Sequence, residues 1–128
     1  MMKSETINRL NEIIKKLSQN KKVAAIFLFG SQVNGRAREH SDVDIAVLIK
    51  NSNNKDLDFI AKFRNDLFDT HPFHKLPLEI QFRVIRDGKM LFLRDKKSFR
   101  LIWVKTIRDY FDFQPFINKF YRRVIANV

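Results

Sequence analysis

The sequence contains no cysteine, and none of its apolar runs approaches the length of a membrane span. Without cysteine the chain can form no disulfide or thiolate zinc site and can use no cysteine nucleophile. Any bound metal must therefore be held by oxygen or imidazole ligands, which makes carboxylates the natural candidates. The first residues also lack the hydrophobic segment of a secretory signal, so we expect a soluble cytoplasmic protein without membrane association.

Acidic residues are scarce relative to basic ones, with 14 Asp and Glu against 25 Lys and Arg and a formal net charge of +11. This charge attracts phosphates, nucleic acids and acidic protein surfaces without selecting among them. The basic residues are spread along the chain, so a solvated basic surface explains them equally well. The 128 residues, 45% of them apolar, suffice for one core. We therefore expect a single domain over residues 1–128.

The apolar pattern predicts alternating helices and strands in the first half of the chain. Apolar residues at helical spacing predict a first helix that Ser4 caps and Asn20 stops. A continuously apolar run at 23–29 predicts a strand that is buried on both faces, and the run at 43–49, apolar except for Asp44, predicts a second strand. A turn is expected at Gly30, directly after the first strand.

The next elements are shorter and less regular. We predict a helix over roughly 57–68, followed by a short edge strand at 68–73 that Pro72 interrupts. A third helix, over 78–86, and a last strand, at 90–93, complete this part of the pattern.

The last third of the chain predicts two amphipathic helices. Apolar residues mark one face from Phe99 to Tyr110 and another from Phe116 to Val124. Pro115 lies between them and is interpreted as an early residue of the second helix. Two amphipathic helices on so small a core predict that apolar surface remains for a partner.

One segment between two predicted strands carries the strongest chemical signal. Gly30-Ser31 is followed, after ten residues, by Asp42-Val43-Asp44. Residues two apart in a strand face the same side, so Asp42 and Asp44 would present adjacent carboxylates. Such a pair is costly without a cation and suits Mg²⁺, which binds carboxylates together with substrate phosphates. The joint spacing should arise in roughly one random chain of this length per thousand, which favours a metal–nucleotide site over an ordinary turn.

The residues around this pair offer contacts to phosphate. Gly30 permits a tight turn, and Ser31 would offer its hydroxyl and nearby N–H groups to a phosphate. Gly35 allows a second close approach of the backbone. Arg36 and Arg38 lie in the same loop, where they either meet nucleotide phosphates or remain solvated.

Gly30-Ser31 and the spaced Asp42-Val43-Asp44 resemble the signature of the DNA polymerase β nucleotidyltransferase superfamily. The short chain is similar to the minimal nucleotidyltransferase (MNT) branch, and residues 77–92 and 110–115 look like that branch's later helix, glycine-containing turn and C-terminal helices. The resemblance implies an α/β (α+β) protein with the polymerase β-type nucleotidyltransferase fold. In that fold a mixed sheet is flanked by helices, and further helices end the chain.

The resemblance also implies a third carboxylate, on a strand beside the first pair, that helps to hold metal and to activate the attacking hydroxyl. A match without gaps places it on Asp69, although Pro72 interrupts the apolar strand expected there. Glu79 is the alternative, because residues 78–82 also alternate like a strand. Asp69 is favoured. The implied ligands of a two-metal Mg²⁺ site are Asp42, Asp44 and Asp69.

The histidine and aromatic residues are expected to have structural rather than catalytic roles. No thiolate or Glu-x-x-His arrangement accompanies His40, His71 and His74, so a surface-loop location is favoured over metal binding. Trp103 and the 13 phenylalanines fall mostly on helical apolar faces. Core packing or a partner interface is therefore favoured over base stacking.

The resemblance implies a Mg²⁺-dependent enzyme that transfers AMP from ATP to an acceptor hydroxyl. Members of the MNT branch often act as MntA-like antitoxins that adenylylate a tyrosine of a HEPN-domain toxin, so ATP and a HEPN-domain protein are the expected partners. Two alternatives remain open. The chain could be a nucleotide- or partner-binding module of the same fold without turnover. It could also be a basic nucleic-acid-binding domain, which is not favoured because no recognisable motif supports it.

Overall fold

The computed structural model describes residues 2–33 and 42–126 and contains a four-stranded sheet with helices on both faces. The strands are β1 (Val23–Phe29), β2 (Val43–Ile49), β3 (Phe68–Pro72) and β4 (Lys89–Leu93). The helices are α1 (Ser4–Leu17), α2 (Asn54–Ala61), α3 (Leu78–Asp87) and α4 (Lys96–Ala126). The strand order is β3-β2-β1-β4. Only the β2–β3 pair is parallel within this sheet, so the predicted mixed sheet flanked by helices is confirmed.

The two central strands are apolar except for Asp44, because both faces of the sheet are covered. On one face α1 and α2 pack against a cluster that includes Leu17, Ile45 and Ile60. On the other face α3 and the first part of α4 pack against a cluster that includes Phe27 and Ala46. From Ala25 onward, alternate apolar residues of β1 belong to different cores, and the same alternation holds along β2.

The first helix has the predicted extent but not the predicted cap. Ser4 is the first helical residue, and Lys3 occupies the cap position without a side-chain hydrogen bond to the helix. The helix ends at Leu17, before Asn20, as expected.

Helix α2 begins and ends earlier than the predicted 57–68. Asn53 caps it by accepting a hydrogen bond from the backbone N–H of Asp56, whose carboxylate accepts from the Asn53 N–H in return. The predicted start at residue 57 missed this capping box. At the other end, the Asn65 side chain accepts from the backbone N–H of Phe68, and the chain turns into β3.

Strand β3 confirms the predicted edge strand, although it stops at Pro72. Pro72 lies opposite Val47 of β2 and ends the strand before a short 3₁₀ turn, Phe73–Lys75. A proline is tolerated there because β3 has a neighbour on one side only, so the missing N–H interrupts no second ladder.

The prediction of two C-terminal helices was wrong, since α4 is one helix of 31 residues that contains Pro115. A proline inside a helix removes the hydrogen bond to the carbonyl four residues earlier, which is that of Phe111. Both residues are exposed, so water can satisfy this carbonyl and the helix continues. Within the described parts of the chain, neither α4 nor any other helix combines the length and apolarity needed to cross a membrane.

Candidate active site

The predicted turn after β1 is present, and it brings the backbone against Asp44. Gly30 has a φ of 79°, in the left-handed region that favours glycine. A Cβ at this position would lie 2.3 Å from Asp44 Oδ2. Gly30 and Ser31 belong to a 3₁₀ turn, Gly30–Gln32, which is closed by a 3.1 Å hydrogen bond from the Val33 N–H to the Gly30 carbonyl. Glycine is thus required both for the turn and for the position of Asp44.

Asp44 and Asp69 lie opposite each other on the parallel strands β2 and β3. Asp44 is also opposite Phe29, the last residue of β1, so the pair sits beside the Gly30 turn. Asp44 shares a face with Ala46, which places its side chain on the side covered by α3 and α4. Burial raises the pKa of the Asp44 carboxyl, and the nearby charges of Asp69 and Asp42 raise it further, whereas His71 lowers it.

The side chain of His71 lies beside the carboxylates of Asp44 and Asp69, so the assignment of His71 to a surface loop was wrong. It lies on β3, two residues after Asp69, and its side chain is 27% exposed. Its Nε2 is 2.9 Å from Asp69 Oδ2, while Arg64 Nε is 3.0 Å from Asp69 Oδ1. The spacing of Asp69 and His71 held a signal for this, because residues two apart in a strand share a face. The edge strand itself was predicted, but the lack of a thiolate or Glu-x-x-His arrangement favoured a surface loop for His71.

The donor atoms of this group fit a divalent cation. Among the described residues, Asp44, Asp69 and His71 form a group in which one ligand atom from each lies within 4.8 Å of the others. Carboxylate oxygen and imidazole nitrogen are common ligands of divalent metals. The raised pKa of Asp44 reflects in part the repulsion between two carboxylates, which a cation at the site would relieve.

Asp42 and Glu79, the other two candidate carboxylates, lie outside the group formed by Asp44, Asp69 and His71. Asp42 lies immediately before β2 and is exposed, near enough to Asp44 to raise its pKa but outside the three-residue group. Glu79 lies on α3, where its side chain is 64% exposed and 3.2 Å from Arg83. The structure therefore brings Asp69, and not Glu79, next to Asp44.

The remaining predicted residues divide between the surface and the undescribed part of the chain. His74 is exposed, as expected, with its Nε2 3.4 Å from the Ser52 hydroxyl. Gly35, Arg36, Arg38 and His40 lie outside the described residues.

A cleft of about 270 Å³ opens beside Asp44, between the sheet and α3. Its walls combine apolar side chains with charged groups. The lining residues include Phe29, Gly30, Val33, Asp44, Ile80 and Arg83. The carboxylate of Asp44 thus borders a space slightly smaller than the usual pocket for a small ligand.

Residues 11–97, which include all four strands, match the family model described as "Polymerase beta, Nucleotidyltransferase". The match spans more than half of the chain, so this protein belongs to the polymerase β nucleotidyltransferase family. The enzyme class and the fold inferred from Gly30-Ser31 and Asp42-Val43-Asp44 are thereby confirmed.

A related sequence and two similar structures agree with this assignment. The chain is 32% identical over 88 residues to a Methanocaldococcus jannaschii protein named as a candidate protein adenylyltransferase, covering 64% of this chain and 70% of that protein. A chain in a crystal structure of a toxin–antitoxin with AMP-PNP has a TM-score of 0.72 at 29% identity, covering 90% of this chain and 97% of its own length. A chain from the complex of tri-AMPylated Shewanella oneidensis HEPN toxin with MNT antitoxin has a TM-score of 0.68 at 27% identity, covering 91% and 96%. These likenesses confirm the similarity to MNT antitoxins.

Proposed function

We propose that this nucleotidyltransferase transfers AMP from ATP to a tyrosine hydroxyl of a HEPN-domain toxin and so acts as its antitoxin in the cytoplasm. The observation that carries the proposal is the pairing of Asp44 with Asp69 beside the Gly30 turn. The AMP-PNP in one similar complex and the AMPylated toxin in another support the nucleotide and the acceptor.

In this proposal Asp42, Asp44 and Asp69 are the catalytic carboxylates and hold two Mg²⁺ ions. Bound Mg²⁺ supplies neutralisation of the triphosphate charge and lowers the pKa of the acceptor hydroxyl. The closeness of Asp69 to Asp44 supports the assignment, because a single cation can contact carboxylates from both strands. It also weakens the alternative of a binding module without turnover. That alternative was supported mainly by the lack of a clear third carboxylate in the sequence.

The turn after β1 is proposed to hold the leaving group. Gly30 and Ser31 would direct backbone N–H groups and a hydroxyl to the β and γ phosphates, and Gly35 and Arg36 would contribute from the following loop. The acceptor oxygen then forms a bond to the α-phosphorus as the bond from that phosphorus to pyrophosphate breaks. Since Asp44 and the Gly30 turn border the same cleft, the triphosphate and the carboxylates would meet there.

Helix α4 provides a surface for the proposed toxin partner. Its Thr106 is buried at 4% exposure against the body of the domain. Farther along, Phe116 is 69% exposed, and Trp103 on another side of the helix is 44% exposed. Exposed aromatic residues on one long helix are typical of protein-binding surfaces. The core therefore leaves much of this apolar surface free for a partner, as the sequence predicts.

Two measurements on the purified protein distinguish the enzyme from its alternatives. Calorimetry tests whether a nonhydrolysable ATP analogue binds only with Mg²⁺, and a pyrophosphate assay tests turnover when the neighbouring gene product is added. The enzyme should show both, and a binding module should show analogue binding alone. Absence of Mg²⁺-dependent binding, together with tight binding of RNA or DNA, would favour the nucleic-acid-binding alternative and contradict the proposal.

A further inference from the structure

We propose that His71 is a direct nitrogen ligand in the metal site, where it joins Asp44 and Asp69 and strengthens the binding of Mn²⁺ more than that of Mg²⁺. The inference rests on the proposed function, because it concerns a metal at the same carboxylates. It adds a nitrogen ligand to a site that carboxylates alone would build entirely from oxygen.

The sheet places the imidazole where a ligand is needed. Asp69 and His71 are two residues apart on β3, so both side chains lie on the face that carries Asp44. Ala46, the β2 residue opposite His71, has a small side chain that leaves room for the ring. Phe29 of β1 borders the other side, with its ring centroid 6.1 Å from that of His71. The imidazole is thus held among three strands rather than in a loop.

The distances within the group suit a shared cation. His71 Nε2 lies 2.9 Å from Asp69 Oδ2, and one ligand atom of Asp44 lies within 4.8 Å of both side chains. Ligands about 2.1 Å from a common metal ion are typically about 3 to 4 Å apart, so these atoms need only small movements. Because Nε2 faces Asp69, the nitrogen in question is already directed towards the carboxylates.

The charges around Asp69 leave the site accessible to metal. Arg64 also contacts Asp69, but its side chain is 55% exposed. A solvent-exposed ion pair contributes little stability, so a divalent cation can displace the guanidinium at little cost. His71, at 27% exposure, is more enclosed and remains beside the carboxylates.

Nitrogen ligation distinguishes among divalent metals. Mg²⁺ prefers oxygen ligands and retains much of its water, whereas a transition metal such as Mn²⁺ also gains from an imidazole ligand. Mg²⁺ can still bind through the carboxylates, but it gains little from His71. The expected consequence is that His71 contributes more to the binding of Mn²⁺ than to that of Mg²⁺.

Electron paramagnetic resonance of Mn²⁺ on the intact, nucleotide-free protein tests the inference directly. Pulsed spectra of the wild-type protein should show coupling between Mn²⁺ and a ¹⁴N nucleus, and His71→Gln should abolish it. Glutamine can still hydrogen-bond Asp69 but offers no imidazole nitrogen, so it separates ligation from orientation. Titrations should show that His71→Gln weakens Mn²⁺ binding by about tenfold or more and Mg²⁺ binding far less. The exposed His74, changed to Gln, is the matched control and should alter neither affinity.

Two results would overturn the inference: no ¹⁴N coupling in the wild-type protein, or wild-type Mn²⁺ affinity in a folded His71→Gln variant. The wild-type spectrum does not depend on whether any variant folds. AMP transfer without nitrogen coupling would remove only the role of His71. Nitrogen coupling without AMP transfer to any acceptor would instead remove the proposed function and leave the metal site.

Discussion

Asp69 on β3 lies opposite Asp44 on β2, in the parallel part of an otherwise antiparallel sheet. The pairing brings together two carboxylates that are far apart in the sequence, at the end of the sheet where β1 turns through Gly30. Glu79, the alternative third carboxylate, is exposed on α3 and paired with Arg83. The two candidates therefore differ in a way that substitution can measure.

Asp69→Asn should lower the rate of pyrophosphate release by about a hundredfold or more, because it removes a metal-binding charge beside Asp44 with little change in volume. Glu79→Gln is the matched control and should leave the rate within about twofold of wild type, since an exposed i,i+4 ion pair contributes little. Steady-state assays with saturating ATP and Mg²⁺ compare the two. A greater loss in Glu79→Gln would transfer the role to that residue.

Most of the fold could be predicted from the sequence, because its apolar residues either recur at helical spacing or form short runs that are typical of buried strands. The strands at 23–29 and 43–49 were predicted to the residue, since the first is continuously apolar and the second is apolar except for Asp44. The C-terminal helix was divided in error because Pro115 is a helix breaker by its local chemistry. Its tolerance in α4 depends on solvent exposure, which the residue pattern does not specify.

The site was only partly predictable for a related reason. Gly30 and the Asp42-x-Asp44 spacing are local signals, so the turn and the first carboxylates could be located from the sequence. The contact between Asp69 and Asp44 depends on strand pairing, and only the family resemblance indicated it. His71 was assigned to a surface loop because no familiar ligand motif accompanies it, although the alternation of the predicted strand places it beside Asp69.

Asp44→Asn should stabilise the metal-free protein at neutral pH. The pKa of Asp44 is raised in the folded state, so its ionised form costs stability at pH values above that raised pKa. As the pH falls through the raised pKa and then below the ordinary 3.8, wild-type Asp44 becomes protonated in both states and the advantage of asparagine disappears. Thermal melts in a chelator at several pH values measure the difference.

Asp58→Asn, on the exposed surface of α2, is the control and should produce no such stabilisation. Saturating Mg²⁺ should reverse the order, because only the wild-type carboxylate gains from the metal. A lower melting temperature for metal-free Asp44→Asn at neutral pH would contradict the electrostatic account of the pair.

Phe116→Ala should leave the free energy of unfolding within about 0.5 kcal/mol of wild type, because the side chain is 69% exposed. Phe68→Ala, at a fully buried position, should cost about 3–5 kcal/mol.

If α4 is the partner surface, Phe116→Ala should nevertheless weaken binding of the neighbouring gene product by about 1 kcal/mol or more. Urea unfolding and calorimetry measure the two quantities. Unchanged binding by a stable Phe116→Ala variant would exclude this position from the interface.

The most direct test is mass spectrometry of the neighbouring gene product after incubation with this chain, ATP and Mg²⁺. We predict the addition of one or more AMP units, located on a tyrosine by peptide mapping, and no addition when Asp44→Asn replaces the wild-type chain. A folded partner that gains no mass, while the same preparation transfers AMP efficiently to RNA or a small molecule, would contradict the antitoxin function.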